Sequence, residues 1–263
     1  MSDIRELLYP DDPYQPRDAY VSARSAMKKA LPKRFYTAVA VEPVDGTYAV
    51  TLDGKRVRTP GGQPLLLASQ AAADCVAAEW AAQGEHIVPL DMHATRIANV
   101  GIDRVGDVRD EVIDDIVTYA GSDLVCYRAE APEGLVAREE AAWAPVLTHV
   151  RARYGARFVL AQGIGFAAQP DASLAAVRTG FARLADPVAL AAAHTLVTLA
   201  GSALIVLALM DGVLDAEAAF AAASVEEDWN AQLWGADDEA AFRRARRHEE
   251  FMAAAKMCAA LGA

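Results

Sequence analysis

Residues 34–67 read RFYTAVAVEPVDGTYAVTLDGKRVRTPGGQPLLL. Four short apolar runs, FYTAVAV, TYAVTL, KRVRT and PLLL, are separated by Asp45-Gly46, Asp53-Gly54 and Pro60-Gly61-Gly62. Asp-Gly between alternating segments favours a two-residue turn with both residues at positive φ, because that turn matches the twist of paired strands. Within 47–52 the side chains alternate, with Tyr48, Val50 and Leu52 on one face and Ala49 and Thr51 on the other. An antiparallel meander is expected, and its apolar face needs cover. The next segment supplies it. Ser69 is a suitable N-cap, Val76, Trp80 and Gln83 repeat at helical spacing, and Gly84 stops the helix.

Working outward, residues 1–33 are punctuated by Pro10, Pro13, Pro16 and Pro32 and are expected to form an extended leader, with a short helix at VSARSAMKKA. From about residue 92 the pattern becomes helical. Helices are expected at 92–105, from Asp107 to Gly121 (with Val112, Ile113, Ile116, Val117 and Ala120 as the apolar stripe), and near 138–154, 172–184, 188–210 and 215–222. Another follows Ser224, and the last spans about 238–261. An isolated strand is expected at 157–161. The fold class is thus α+β, with a leader at 1–33, a β-rich domain at 34–91 and a helical domain at 92–263.

The 263 residues are 54% hydrophobic and 23% charged, enough to bury a core. Net charge is −11, which repels phosphate backbones and anionic lipid and makes nucleic acid a poor partner. Cys75, Cys126 and Cys258 form no C-x-x-C pair, so neither a disulfide framework nor a zinc site is signalled. The opening MSDIRELLYPDDPYQ lacks the character of a secretory signal or a transit peptide, so a cytoplasmic, bacterial setting is expected. Residues 187–210 carry no formal charge and are long enough to span a bilayer. They also contain His194, Thr195, Thr198, Gly201 and Ser202, and acids flank them, so a buried helix is the expected outcome.

No catalytic, cofactor or metal motif is completed. Gly163-x-Gly165-x-x-Ala168 matches a loose dinucleotide fingerprint, but Pro170 falls where the phosphate-binding helix would run. Asp110, Glu111, Asp114 and Asp115 crowd one helix, yet no acid lies three residues before any histidine, as a di-iron bundle requires. No serine lies within G-x-S-x-G, no phosphate loop is present, and His248 lacks a second histidine at zincin spacing. Arg243, Arg244, Arg246 and Arg247 can pair with Glu239 and Glu250 along a helix, so they are expected on a charged face.

Residues 224–235, SVEEDWNAQLWG, are unusual. Ser224 and Glu227 fit a capping box, and Val225, Trp229 and Leu233 fit one helical side. On spacing alone the tryptophans are expected in the core. Glu226 has no such structural assignment, and Trp234 precedes a glycine break, where a large aromatic can serve as a binding anchor.

The strings taken in order resemble the chaperone family of the F1-ATPase α subunit. Arg34-Phe35-Tyr36, Leu52-Asp53-Gly54 through Thr59-Pro60, Glu79-Trp80-x-x-Gln83, Ile87-x-Pro89, Met92, Thr95, Asn99 and Asp103 are similar to its N-terminal signature. Gly201-Ser202, Glu226-Glu227, Gln232 and Trp234-Gly235 are similar to its second block. Thr37 and Lys55 depart from the residues expected beside those motifs, and His93 stands where proline is expected. The resemblance implies a β-rich domain followed by a helical one. It also implies a monomeric chaperone, not an enzyme, that binds the free α subunit of F1-ATPase and masks its apolar intersubunit face. Glu226 and Trp234, with Glu227, Gln232 and Asp237, are the expected client-binding residues. Glu79, Trp80 and Gln83 are expected to lock the helix to the sheet. A small-molecule enzyme of unknown reaction and a membrane-associated assembly factor using 187–210 are the competing classes.

Overall fold

A computed structural model of the chain describes residues 31–163, 165–235 and 237–263. The expected leader therefore lies almost wholly outside the described residues, as does its short helix at 21–30. The chain divides into two compact units. One contains the described residues through Arg109, with Asp186–Ala192 and Glu239–Ala263; the other contains Asp110–Ala185 and Ala193–Asp238. The boundary expected at residue 91 falls inside the first unit, because residues distant in sequence return to it.

In the first unit, β1 (Val39–Val44) pairs antiparallel with β2 (Thr47–Leu52), from Val39 opposite Leu52 to Val44 opposite Thr47. β2 also pairs with β3 (Lys55–Arg56) and β4 (Leu66–Leu67). Both Asp-Gly pairs form the two-residue turns, with φ of 47° and 83° at Asp45-Gly46 and 48° and 76° at Asp53-Gly54. One expectation needs correction. Ala49, Val50, Thr51 and Leu52 are all buried, so β2 is covered on both faces rather than one.

The covering helix α1 (Gln70–Ala81) packs on β1, β2 and β4. Ser69 Oγ accepts from the Ala72 N–H at 3.1 Å, satisfying one of the orphan amides of the first turn. Its hydroxyl donates to the Ala260 carbonyl at 2.6 Å. The helix expected at 92–105 is α2 (His93–Val100) followed by a wider π turn at Gly101–Val105. Burial lowers the pKa of His93 to about 4, with the Arg96 and Arg246 charges adding to the effect, so it packs as a neutral ring.

The second unit takes α3 (Arg109–Gly121) from Asp110 on and continues through β5 (Tyr127–Arg128), α4 (Glu133–Tyr154), β6 (Ala161–Gln162) and α5 (Asp171–Ala182). The acids of α3 are not a purely solvated face. Asp110 and Asp114 pair with Arg178, and Asp115 lies 2.8 Å from the Nε2 of fully buried His194. The expected strand at 157–161 is displaced: β6 begins at Ala161 and runs parallel to β5.

The apolar stretch at 187–210 is two helices, α6 (Pro187–Ala200) and α7 (Ala203–Met210), not the single helix expected. Gly201 takes φ of 65°, and Ser202 Oγ caps α7 by accepting from Ile205 N–H at 3.0 Å. The Ser202 hydroxyl donates to fully buried Asp123 at 2.6 Å, and Asp123 also accepts from the Val125 and Leu204 amides. Burial pushes the Asp123 carboxyl up to about 7, although each of these bonds pulls the other way. Fourteen and eight residues fall short of the roughly 20 that a bilayer crossing needs. Among the described residues, no helix is long and apolar enough to cross a membrane. Helices α8 (Ala216–Ala223) and α9 (Val225–Trp234) follow. The last helix, α10 (Asp238–Ala260), returns to the first unit from Glu239 on. There Arg246 pairs with Asp91 and Glu249, while Glu250 pairs with Arg96 instead of Arg246.

Candidate functional site

The residues of the N-terminal signature bond to one another. Arg34 donates to the carbonyls of Gln83 at 2.5 Å and Tyr36 at 3.1 Å, and its guanidinium lies 4.7 Å from the Tyr36 ring centroid. The Tyr36 hydroxyl donates to the Trp80 carbonyl at 2.7 Å, and the two rings meet edge to face. Asp53 accepts from the amides of Ala38 and Thr37, which hold its carboxyl below the ordinary range. Asp103 ties the Pro60-Gly61 turn by accepting from Thr59 Oγ1 at 2.5 Å and Gly61 N–H at 2.7 Å.

Glu79 is the centre of this lattice. Its carboxylate accepts from Ala94 N–H at 2.7 Å and from both the N–H and hydroxyl of Thr95 at 2.8 Å. A helix N-terminus carries orphan amides and partial positive charge, so the glutamate of one helix caps the next. Burial nonetheless raises the Glu79 pKa, outweighing those bonds and the Arg96 charge. Gln83 completes the joint, accepting from Val88 N–H at 2.7 Å and donating to the Glu79 carbonyl at 3.0 Å. Glu79 and Gln83 thus lock α1 to α2 and to the connector at Val88 rather than to the sheet as expected, and Trp80 holds Tyr36, which precedes β1. A cavity of about 500 Å³ lies against Cys75, Glu79, Gln83, Asp91 and Lys256, with alanines between them. Glu79 is already committed to amides there. Among the described residues, no group of three His, Cys, Asp or Glu is placed to hold a metal ion.

Helix α9 is built differently. Ser224 sits at φ −112°, ψ 10° at the joint between α8 and α9, and its side chain makes no cap bond. The expected capping box with Glu227 is therefore not formed, because α8 runs into the joint and removes the extended geometry a cap needs. Trp229 packs on α4, where a Cβ on Gly134 would lie 2.6 Å from its ring. The Arg138 guanidinium lies 4.8 Å from the Trp229 ring centroid. Glu226 is exposed and lies beside fully buried Glu139 of α4. Burial raises the Glu139 pKa, the Ala129 amide opposes this, and the Glu226 charge adds to it.

The free end of α9 carries the exposed residues. Trp234 is 84% exposed and Leu233 56%, and Val225 and Trp229 are only half-buried, which corrects the expectation of core tryptophans and of a buried Val225, Trp229, Leu233 side. Gln232 and Asp237 are exposed as well, and Glu227 is half-buried. Glu226 and Leu233 are seven residues apart and share a helical face, with Trp234 at its edge about 12 Å along the axis from Glu226. Gly134, Arg138 and Glu139, which hold α9, lie about 90 residues away in sequence, and no local pattern marks them.

The residues of the first block are thus bonded to one another, and Gln232 and Trp234 of the second lie at an exposed helix end. The model of the ATP12 chaperone protein family matches residues 33–151. A candidate chaperone from Agrobacterium tumefaciens is 41% identical, superposes with a TM-score of 0.84, and the match covers 98% of this chain and 97% of that one. Atp12 from Paracoccus denitrificans is 36% identical with a TM-score of 0.80, covering 88% of this chain and 98% of that one. A single-substitution variant of the Paracoccus protein matches equally well. The chain belongs to the ATP12 chaperone family.

Proposed function

We propose that this chain binds the unassembled α subunit of F1-ATPase in the bacterial cytoplasm, covers its intersubunit face and releases it during hexamer assembly, without catalysing a reaction. An isolated ring subunit exposes a large apolar face, which drives aggregation until a neighbour covers it. The observation that carries the reading is the solvent-facing end of α9. Trp234 and Leu233 are large apolar side chains left outside the core, next in the chain to exposed Gln232 and two helical turns from exposed Glu226. Such an aromatic anchor within a polar rim suits an interface that must later be vacated. Glu226 and Trp234 are the leading contacts, with Glu227, Gln232 and Asp237 around them.

The test is to express an α subunit from the same organism with and without this protein, then measure its soluble fraction and co-elution. A soluble one-to-one complex that weakens when Glu226 and Trp234 are both replaced supports the proposal. No complex between two folded proteins overturns it, and retained binding by the double variant removes α9 from the site.

A further inference from the structure

The segment between α4 and β6 presents a second feature that the α9 surface does not use. The Arg157 N–H donates to Ser173 Oγ at 2.9 Å, and that hydroxyl donates back to the Arg157 carbonyl at 2.8 Å. Two residues on, Val159 N–H donates to Gln169 Oε1 at 2.8 Å, and Gln169 Nε2 donates to the Val159 carbonyl at 3.0 Å. A residue whose N–H and C=O both reach one side chain is in extended conformation, with both groups on the same edge. Ser173 and Gln169 thus imitate a neighbouring strand along the edge formed by Arg157 and Val159. By the same alternation, the N–H and C=O of Phe158 point to the opposite edge. They have no hydrogen-bond partner among the described residues.

The side chains around this open edge suit a partner strand. Val159 and Leu160 are exposed. Phe158, Leu160 and Leu147 line a groove of about 340 Å³, rimmed by exposed Arg151 and Arg157. Among the described residues neither arginine is in an ion pair, in a chain whose net charge is −11. An unpaired strand edge is a template for another chain, and proteins ordinarily blunt one that is not used.

We propose that the Phe158–Leu160 edge takes an extended segment of the client by strand addition. The incoming segment pairs with Phe158 N–H and C=O, sets apolar side chains into the groove, and carries an acid to Arg151 or Arg157. This rests on the chaperone reading above, since the strand comes from the unassembled subunit.

Proline distinguishes main-chain pairing from side-chain contact. Because Phe158 N–H has no partner among the described residues and Arg157 is already extended, Phe158→Pro removes the donor while sparing the clasp. The experiment measures binding of the α subunit to wild type, Phe158→Pro and Phe158→Ala, with thermal unfolding of each variant alone. The expected result is a loss of about tenfold for Phe158→Pro and about threefold for Phe158→Ala. Hydrogen exchange of the Phe158 amide in the wild-type complex, which needs no variant to fold, is expected to slow by about a hundredfold on client binding. Equal binding by folded Phe158→Pro, or an unprotected amide in a formed complex, overturns strand addition and leaves the chaperone reading standing. Concentration-dependent self-association of the free chain that Phe158→Pro abolishes also overturns it, by assigning the edge to a second copy. Failure of wild type to bind any α subunit overturns both.

Discussion

Glu79 and Glu226 both belong to blocks that resemble the same family, yet they sit in opposite physical situations. Glu79 is withdrawn among Ala94, Thr95 and Gln83 and spends its carboxylate on three donors of its own chain. Glu226 stands at the surface of α9, with Glu139 beneath it and Trp234 two turns along. A distinctive residue pattern can therefore mark a joint that the fold needs or a surface that a partner needs. The difference between them is burial: Glu79 is enclosed among amides of its own chain, whereas Glu226 meets Glu139 on one side and solvent on the other.

The sharpest way to break this contrast is to remove Glu79. Glu79→Ala leaves three donors of α2 without their acceptor in a buried joint, and is expected to cost about 3 kcal/mol or more in denaturant unfolding. A loss below about 1 kcal/mol would show that the lattice is redundant. Next in size is Gly134→Ala, whose new methyl meets the Trp229 ring at 2.6 Å. It is expected to destabilise by about 1–3 kcal/mol and to weaken client binding by shifting α9. Wild-type stability with undiminished binding would separate α9 placement from its function.

A third prediction concerns pH. The buried Asp123 titrates near 7 in the folded chain, against 3.8 for an ordinary aspartate. Between those values the folded state holds a proton that the unfolded state has lost, so this contribution falls as pH rises. The stability advantage of wild type over Asp123→Asn is expected to be largest below pH 4 and to shrink toward pH 7, measured by unfolding across that range. A growing advantage would reverse the sign of the argument. The smallest stability effect is expected at Trp234. Replacing so exposed a side chain by alanine should shift unfolding by no more than about 0.5 kcal/mol, while client binding falls about tenfold or more. A large stability loss at Trp234 would place it with the lattice and erase the contrast.

Much of this is legible in the sequence alone. The two Asp-Gly turns set strand pairing and register because the required positive φ is a local property of two adjacent residues. The Ser69 start of α1 was readable for the same reason. The capping box expected at Ser224 does not form because the helix expected at 215–222 runs on to Ala223 and abuts α9, which leaves Ser224 without the extended backbone a cap needs. Likewise, the break at Gly201-Ser202 in an uncharged run is anchored by Asp123, 79 residues earlier, which accepts the bond from the capping hydroxyl.

The sequence by itself determined the α+β class, the meander, the covering helix and the kinship, since these rest on spacing and on ordered local motifs. Only the tertiary structure decided which motif residues close on one another and which remain outside. Glu79 finds amides 15 and 16 residues away, Trp229 finds Gly134, and Trp234 remains exposed. Burial and hydrogen-bond satisfaction are properties of neighbours in space, and a chain written in order does not say who those neighbours are.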